Sequence, residues 1–321
     1  MLPEVAVRMA RGRWCGSHGV LILLAISVSG GTALGEQGAE TTPGGSDQVK
    51  VAAVQITGYT KLFKPRADYD PTEAIVDYTK KAAADGAQLV VFPEYHLGRI
   101  RVPSPVTERI GRAAAEHRLY VIVGCWELLE DEDFANAALL FGREGQIIGK
   151  YYKTHAAVDQ YEGEPAYSRP PSGRDRQWLI ENDPEWIMIR GDRFPVFDLD
   201  FGKVGIATCY DGYFPETFRL LALNGAEIIV WINGRHGQVQ DFVVRATMFY
   251  NDVCMICTNQ AYGAGTMIAQ WPTSILADCS EAKEGYITAT LNLGGLRAAR
   301  ARSRNARQRR PEIYADLSSP R

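Results

Sequence analysis

The sequence predicts a mixed α/β fold built as one large domain, and three observations carry this. From residue 49 onward, apolar β-prone runs alternate with helical stripes. Helix-length crossovers and short turns both join those runs, so parallel and antiparallel pairing should occur together. The composition, 46% hydrophobic and 23% charged over 321 residues, supplies enough apolar surface for a sizeable core. A formal charge of −3 gives no general case for nucleic-acid binding. Six cysteines in this length do not form a disulfide scaffold, and no solenoid repeat is visible.

In chain order, Val49–Ile56 reads as a strand, and Pro71 opens a helix to Asp85 with Ala74, Ile75, Tyr78 and Ala82 on one stripe. Gln88–Phe92 is a continuous apolar strand of the kind buried on both faces. A helix over 104–118 and a strand over Tyr120–Glu127 follow, then a hairpin of Phe134–Phe141 with Gln146–Lys153 around Gly142–Gly145. Residues 156–190 break the rhythm with Pro165, Pro170, Pro171 and many charges; a connection this long reads as a lid or binding loop. Its Tyr167, Trp178 and Trp186 offer apolar anchors, and Arg174, Asp175 and Arg176 a polar contact for substrate. Strands are then expected over 194–201, 203–209, 227–232 and 253–259, with helices over 215–224 and 239–252. Met267–Ala277 and Tyr286–Leu293 are expected to pair as a hairpin.

The first 35 residues are of another kind. Arg8, Arg11 and Arg13 precede the apolar run Val20–Val28 and the small residues Gly30–Gly35, the order of a secretory signal peptide with Ala33-Leu-Gly35 as cleavage site. The run is short for a bilayer span. Residues 1–35 are therefore expected to direct export to the periplasm or outside the cell, or to tether the chain to a membrane if uncleaved. Residues 36–48 read as a flexible linker, leaving 49–317 as the folded domain.

Three stretches carry chemistry: Leu89-Val-Val-Phe-Pro-Glu94-Tyr95, Gly149-Lys-Tyr-Tyr-Lys153-Thr-His155, and Lys203-Val-Gly-Ile-Ala-Thr-Cys209-Tyr210-Asp211-Gly-Tyr-Phe-Pro-Glu216. Each ends an apolar strand. A lone cysteine there would serve equally as a small core residue, and a lone Glu or Lys as a solvated strand-end charge. Together they are consistent with one site. A thiol of ordinary pKa is only a few per cent thiolate at neutral pH; a desolvated carboxylate can take its proton, and an ammonium can stabilise the oxyanion formed on attack.

In this order, the three motifs resemble the carbon–nitrogen hydrolase (nitrilase) superfamily over roughly residues 49–317. The resemblance implies a four-layer α-β-β-α sandwich, two mixed sheets face to face with helices outside. It implies Glu94 as general base, Lys153 as oxyanion stabiliser and Cys209 as nucleophile, with the main-chain N–H of Tyr210 as second oxyanion donor. A further glutamate supports the lysine in this family; counting back from Arg190-Gly-Asp192 points to Glu185, with Glu162, Glu164 and Glu181 as competitors. Asp211 after Cys-Tyr favours an amidase or carbamoyl-amidase over a true nitrilase. Tyr95, Tyr210, Asp211 and Asn233 are expected to meet substrate. The expected partners are a small amide or carbamoyl compound and further copies of this chain in a homodimer or higher homo-oligomer, with no nucleic acid. No cofactor or metal is expected: the histidines lack ligand spacing, and no phosphate loop or dinucleotide fingerprint is present. Cys254 and Cys257 fall three apart on one strand, facing opposite sides, so they read as core rather than chelate. Seven arginines over 297–310 resemble a basic tail but end in Arg310-Pro-Glu-Ile-Tyr314, a family segment that docks on the body.

Overall fold

A computed structural model describes residues 47–58, 69–158 and 173–318. The expected signal peptide, the expected linker up to residue 46, and Glu162, Glu164 and Tyr167 lie outside the described residues.

The first half of the chain runs β1 (Gln48–Gln55), α1 (Pro71–Ala84), β2 (Leu89–Val91), β3 (Arg99–Arg101), α2 (Pro105–His117), β4 (Tyr120–Leu128), β5 (Phe134–Phe141) and β6 (Ile147–Tyr152). The second half runs α3 (Arg176–Asn182), β7 (Val196–Leu199), β8 (Gly202–Thr208), α4 (Pro215–Leu223), β9 (Ile228–Ile232), α5 (Asp241–Asn251), β10 (Cys254–Thr258), β11 (Thr266–Gln270), β12 (Ser274–Cys279), β13 (Gly285–Asn292) and α6 (Leu293–Arg302). Local chemistry sets the helix starts. Asp70 accepts from Thr72 N at 2.8 Å ahead of Pro71, and Ser104 accepts from Thr107 N at 3.4 Å ahead of Pro105.

Two sheets result. One has the order β13-β1-β2-β4-β5-β6, with β3 added on β4; the other has the order β12-β11-β10-β9-β8-β7. Strand alternation tells how they stack. Val49, Val51 and Ala53 of β1 pack with Val204 and Ile206 of β8 and Ile228, Val230 and Ile232 of β9 in one core between the sheets. The opposite face of the first sheet (Ala52, Val54, Val121, Val123) packs on Ile75 of α1 and Ile110 of α2. The opposite face of the second (Ala207, Ile229, Trp231) packs on Phe218 of α4 and Val244 of α5. The layers are thus α-β-β-α, as the resemblance implied. Each fully buried aliphatic side chain contributes about 1.5–3 kcal/mol, so the doubly covered strands hold the two sheets in fixed register. Cys254 lies in the inter-sheet core and Cys257 in the outer one, on opposite faces of β10.

One pairing is corrected. Met267–Ala277 does not pair with Tyr286–Leu293; it folds on itself as β11 and β12 around the Trp271-Pro272-Thr273 turn. Pro272 has no N–H for a ladder, which makes it a turn position. β13 instead crosses to the first sheet and pairs antiparallel with β1, from Gln48↔Asn292 to Gln55↔Gly285. The arginine-rich segment is divided. Arg297 bonds Glu227 at 2.7 Å and Arg300 bonds the Asp252 carbonyl at 2.6 Å, docking α6, whereas Arg304, Arg307 and Arg310 are exposed.

Candidate active site

Glu94 stands in the turn after β2, where the apolar run stops at Pro93. Neighbouring strand ends fix its main chain: Glu94 N donates to Asn233 O at 3.3 Å, and Gln260 Nε2 donates to Glu94 O at 2.6 Å. Asn233 follows β9 and Gln260 follows β10, so the base of the first sheet is tied to the second. A Cβ at Gly124 of β4 would stand 2.6 Å from Glu94 Cα, so only glycine lets this turn settle there.

Lys153 follows β6, and its Nζ is fully buried between two carboxylates, 2.5 Å from Glu185 Oε1 and 3.3 Å from Glu94 Oε1. A buried ammonium without such partners would cost several kcal/mol. Glu185 sits in a short 3-10 turn, Pro184–Trp186, and also accepts from Tyr95 OH at 2.7 Å and from Ala157 N. Among the described alternatives, Glu181 is exposed and bonded to Gln177. Glu94 Oε1 takes a second bond from Asn136 Nδ2 at 2.7 Å, leaving Oε2 without a protein donor among the described residues.

Cys209 opens the 3-10 turn Cys209–Tyr213 at the end of β8, with φ of 47°. A left-handed conformation at a non-glycine residue costs about 1–2 kcal/mol, and surrounding bonds hold it there. Trp231 Nε1 and Arg235 Nη2 both donate to the Cys209 carbonyl, at 3.0 and 3.4 Å. Asp211 anchors the turn: its fully buried carboxylate accepts from Thr208 N (2.9 Å), Tyr151 OH (2.6 Å), Thr154 Oγ1 (2.8 Å) and His155 N (2.9 Å).

Three of the four residues expected at the substrate make their polar bonds to protein groups. Asp211 is occupied in joining the Cys209 turn to the residues around Lys153. Asn233 is fully buried, its Nδ2 bonded to the carbonyls of Trp231 and Thr258 and its Oδ1 to Arg235. Tyr95 is buried against Trp126 with its hydroxyl on Glu185. Tyr210 alone of the four is partly exposed, its ring packed edge-on to Phe214. In the 156–190 stretch, Arg174 stacks on Trp178, Asp175 caps α3 and Arg176 bonds the Glu132 carbonyl; these charges face local protein groups.

The electrostatics separate Glu94 from Cys209. Burial raises the Glu94 carboxyl and nearby Glu185 adds to it, against the opposing pull of Lys153 and Asn136. Burial, reinforced by Glu94, pushes the Cys209 thiol up to about 12, while Lys153 and Arg235 pull the other way. Burial alone would discharge Lys153, but Glu185 and Glu94 outweigh it and hold the ammonium well above its ordinary value. The resting site therefore contains a neutral thiol, a permanent cation and a carboxyl poised to exchange a proton.

Asn136, Arg235 and Gln260 were not singled out from the sequence. Asn136 carried a usable signal, as the one amide in the otherwise apolar run Phe134–Phe141; a buried polar group in such a strand must have a partner. Arg235 and Gln260 sit in strand-end turns, where polar residues are ordinary. The group types present match no metal site: among the described residues no cluster of three His, Cys, Asp or Glu side chains could hold an ion.

With that geometry in place, comparison with known proteins defines the class. The carbon–nitrogen hydrolase family model matches residues 50–301, and the chain belongs to that family. Its chemistry is hydrolysis of carbon–nitrogen bonds other than peptide bonds. The chain is 26% identical over 262 residues to omega-amidase NIT2 of Xenopus tropicalis, covering 74% of this chain and 88% of that one. It is 31% identical over 197 residues to a nitrilase of Pyrococcus abyssi, covering 56% and 63%. Its fold matches a carbon–nitrogen hydrolase from Helicobacter pylori G27 with a TM-score of 0.67 at 19% identity, covering 85% of this chain and 99% of the other. An amidase from Nesterenkonia sp. AN1 in complex with acrylamide gives 0.63 at 17%, covering 85% and 98%.

Proposed function

We propose that this protein is a thiol amidohydrolase acting on a small amide or N-carbamoyl compound. The observation that carries the reading is the buried Lys153 ammonium shared by Glu94 and Glu185 within electrostatic reach of Cys209. Cys209 Sγ attacks the carbonyl carbon as Glu94 takes the thiol proton. Lys153 Nζ and the Tyr210 N–H receive the oxyanion. Collapse breaks the C–N bond; ammonia or an amine leaves with the proton from Glu94, and a thioester stays on Cys209. Water, deprotonated by Glu94, then attacks the thioester and releases the acid and the thiol. Glu185 and Tyr95 orient Lys153, and Asn136 orients Glu94.

Asp211 in Cys-Tyr-Asp and the amidase names among the relatives support amides over nitriles. Nitrile hydrolysis, or acyl transfer to an amine in place of water, would use the same groups. Ammonia release from a panel of amides, carbamoyl compounds and nitriles, with mass detection of an acyl adduct on Cys209, tests the reading. An adduct on another residue, or turnover with no adduct under rapid quench, would overturn it.

The reading includes export through cleavage after residue 35, checked by N-terminal sequencing of secreted protein. It also includes a homo-oligomer. Large apolar side chains are exposed on the α4–α5 face around a groove of about 500 Å³, including Tyr213, Phe242, Tyr250 and Leu317. Light scattering at micromolar concentration checks it; a strict monomer would refute it.

A further inference from the structure

Arg235 lies in the turn after β9, outside the three motifs, and the mechanism above gives it no part. Its guanidinium is half-buried and held on several sides. Nη2 donates to the Cys209 carbonyl (3.4 Å) and to Asn233 Oδ1 (2.8 Å), and Nη1 donates to Gln240 Oε1 (2.8 Å). The group lies 4.8 Å from the Trp231 ring centre and 5.2 Å from that of Tyr213. Every acceptor it meets is neutral. Among the described residues no carboxylate pairs with it, and its Nε is buried without an acceptor. Burying an arginine beside neutral oxygens forfeits the ion pair that normally accompanies it, so something other than stability accounts for its place.

We propose that Arg235 is a positioning residue for the nucleophile: it clamps the Cys209 carbonyl and, with no carboxylate partner among the described residues, brings its positive charge to the Cys209 turn. The inference rests on Cys209 being the attacking group. The clamp acts on the residue that needs it, since Cys209 holds a φ of 47° and its carbonyl is the atom that both Arg235 and Trp231 grip. The charge matters because of what else faces the thiol. Glu94 from the turn after β2 and Glu185 from the 3-10 turn oppose ionisation; Lys153 after β6 and Arg235 after β9 favour it. The phenols of Tyr95 and Tyr262 are the other titratable groups that interact with Cys209. Lys153 exerts the stronger of the two pulls but is shared by two carboxylates, whereas Arg235 has no carboxylate partner among the described residues. As attack builds thiolate character, the field of Arg235 lowers the barrier; as the oxyanion forms, the clamp keeps the Tyr210 N–H aimed at it.

The test compares R235Q and R235K with the wild-type full chain. Two quantities are read: the rate at which iodoacetamide, a neutral reagent, labels Cys209 between pH 7 and 9, followed by peptide mass, and kcat on the best amide substrate. All are measured below each variant's melting temperature. Below the thiol pKa the labelling rate follows the thiolate fraction, tenfold per pH unit. R235Q should label about tenfold or more slowly at every pH, with the same slope, and lose kcat at least as steeply. R235K keeps the charge without the fork, so labelling should stay within about threefold of wild type while kcat falls about tenfold or more. Wild-type labelling in a folded R235Q overturns the proposal and leaves Arg235 as scaffold. If R235Q does not fold, R235K decides: labelling slowed tenfold or more with the charge retained overturns it equally. Absence of labelling at Cys209 in active wild-type protein would instead overturn the assignment of the nucleophile.

Discussion

The two walls of the site are built on opposite principles. The wall from the first sheet and its neighbouring turn holds Glu94, Lys153 and Glu185, nearly or fully buried, with Asn136, Tyr95 and the Ala157 N–H completing their bonds. The wall from the second sheet holds Cys209, partly exposed, in a left-handed turn and electrically neutral at rest. A resting thiolate at pH 7 would cost on the order of 7 kcal/mol with the thiol at about 12. Charge is thus kept where the geometry is most constrained.

Replacing the nucleophile breaks this comparison most severely. Cys209→Ser should lose turnover by about 10⁴-fold or more with an unchanged circular dichroism spectrum, since Glu94 cannot activate a hydroxyl of much higher pKa. Ammonia release measured on protein free of contaminating enzyme checks it; retained activity would remove Cys209 from the chemistry. Lys153→Ala should cost about 10²–10³-fold in kcat, the scale of one lost oxyanion donor, and lower Tm as well, because Glu94 and Glu185 are left buried without their cation. Lys153→Arg should not restore kcat; near-normal activity in it would contradict the confined geometry of the first wall.

Asp211→Asn sharpens the comparison by loosening the link between the two walls. Stranding buried donors costs about 1–3 kcal/mol each, so chemical denaturation should show a loss of at least ~2 kcal/mol. Burial pushes the Asp211 carboxyl upward, but bonds from His155, Tyr151 and Thr208 N hold it below its ordinary value. Its contribution is therefore present above the unfolded carboxylate pKa and lost as pH falls through the lower folded value. Wild type should lose stability relative to Asp211→Asn over that acid window, and equal pH dependence of the two would contradict the wiring.

The base gives a smaller effect. Because Glu94 is raised, kcat/KM should fall as pH drops through a value above the ordinary Glu range near ~4.3. Asn136→Leu removes a bond that favours the carboxylate form, so its acid limb should move to higher pH, with a loss of about tenfold or less at neutrality. An acid limb that does not move would sever Asn136 from the base. Smallest of all, Cys257→Ala should leave kcat within about twofold. Cys254 and Cys257 are fully buried in the two cores, out of the reagent's reach, and neither should react with iodoacetamide in the folded chain; labelling there would place the reactive thiol elsewhere.

The fold was legible where one rule governed a segment. Apolar runs located the strands, Pro71 marked a helix start, and strand period placed Cys254 and Cys257 on opposite faces. Family motifs supplied the sandwich, which periodicity alone left as α/β or α+β. At the site, Glu94, Lys153 and Cys209 stood out because each ends an apolar strand. Their supporting groups did not, because a partnership such as Asn136 with Glu94 or Gln260 with the Glu94 carbonyl depends on which strand ends meet across two sheets. For the same reason the protein partners of Asp211, Asn233 and Tyr95 were not legible. The pairing of β13 failed for a related cause: a short turn at Trp271-Pro272 was passed over in favour of a longer one, and nothing local marks a strand as belonging to the opposite sheet.

That last strand has a consequence for how the chain is made. β1 lies between β13 and β2, so until residues 285–292 leave the ribosome, the first strand of the domain has a bare edge of unpaired N–H and C=O groups. Long-range closure of this kind is slow. The domain cannot be completed during synthesis from its N-terminus, and a chain stopped before residue 285 would carry an adhesive edge rather than a shortened fold.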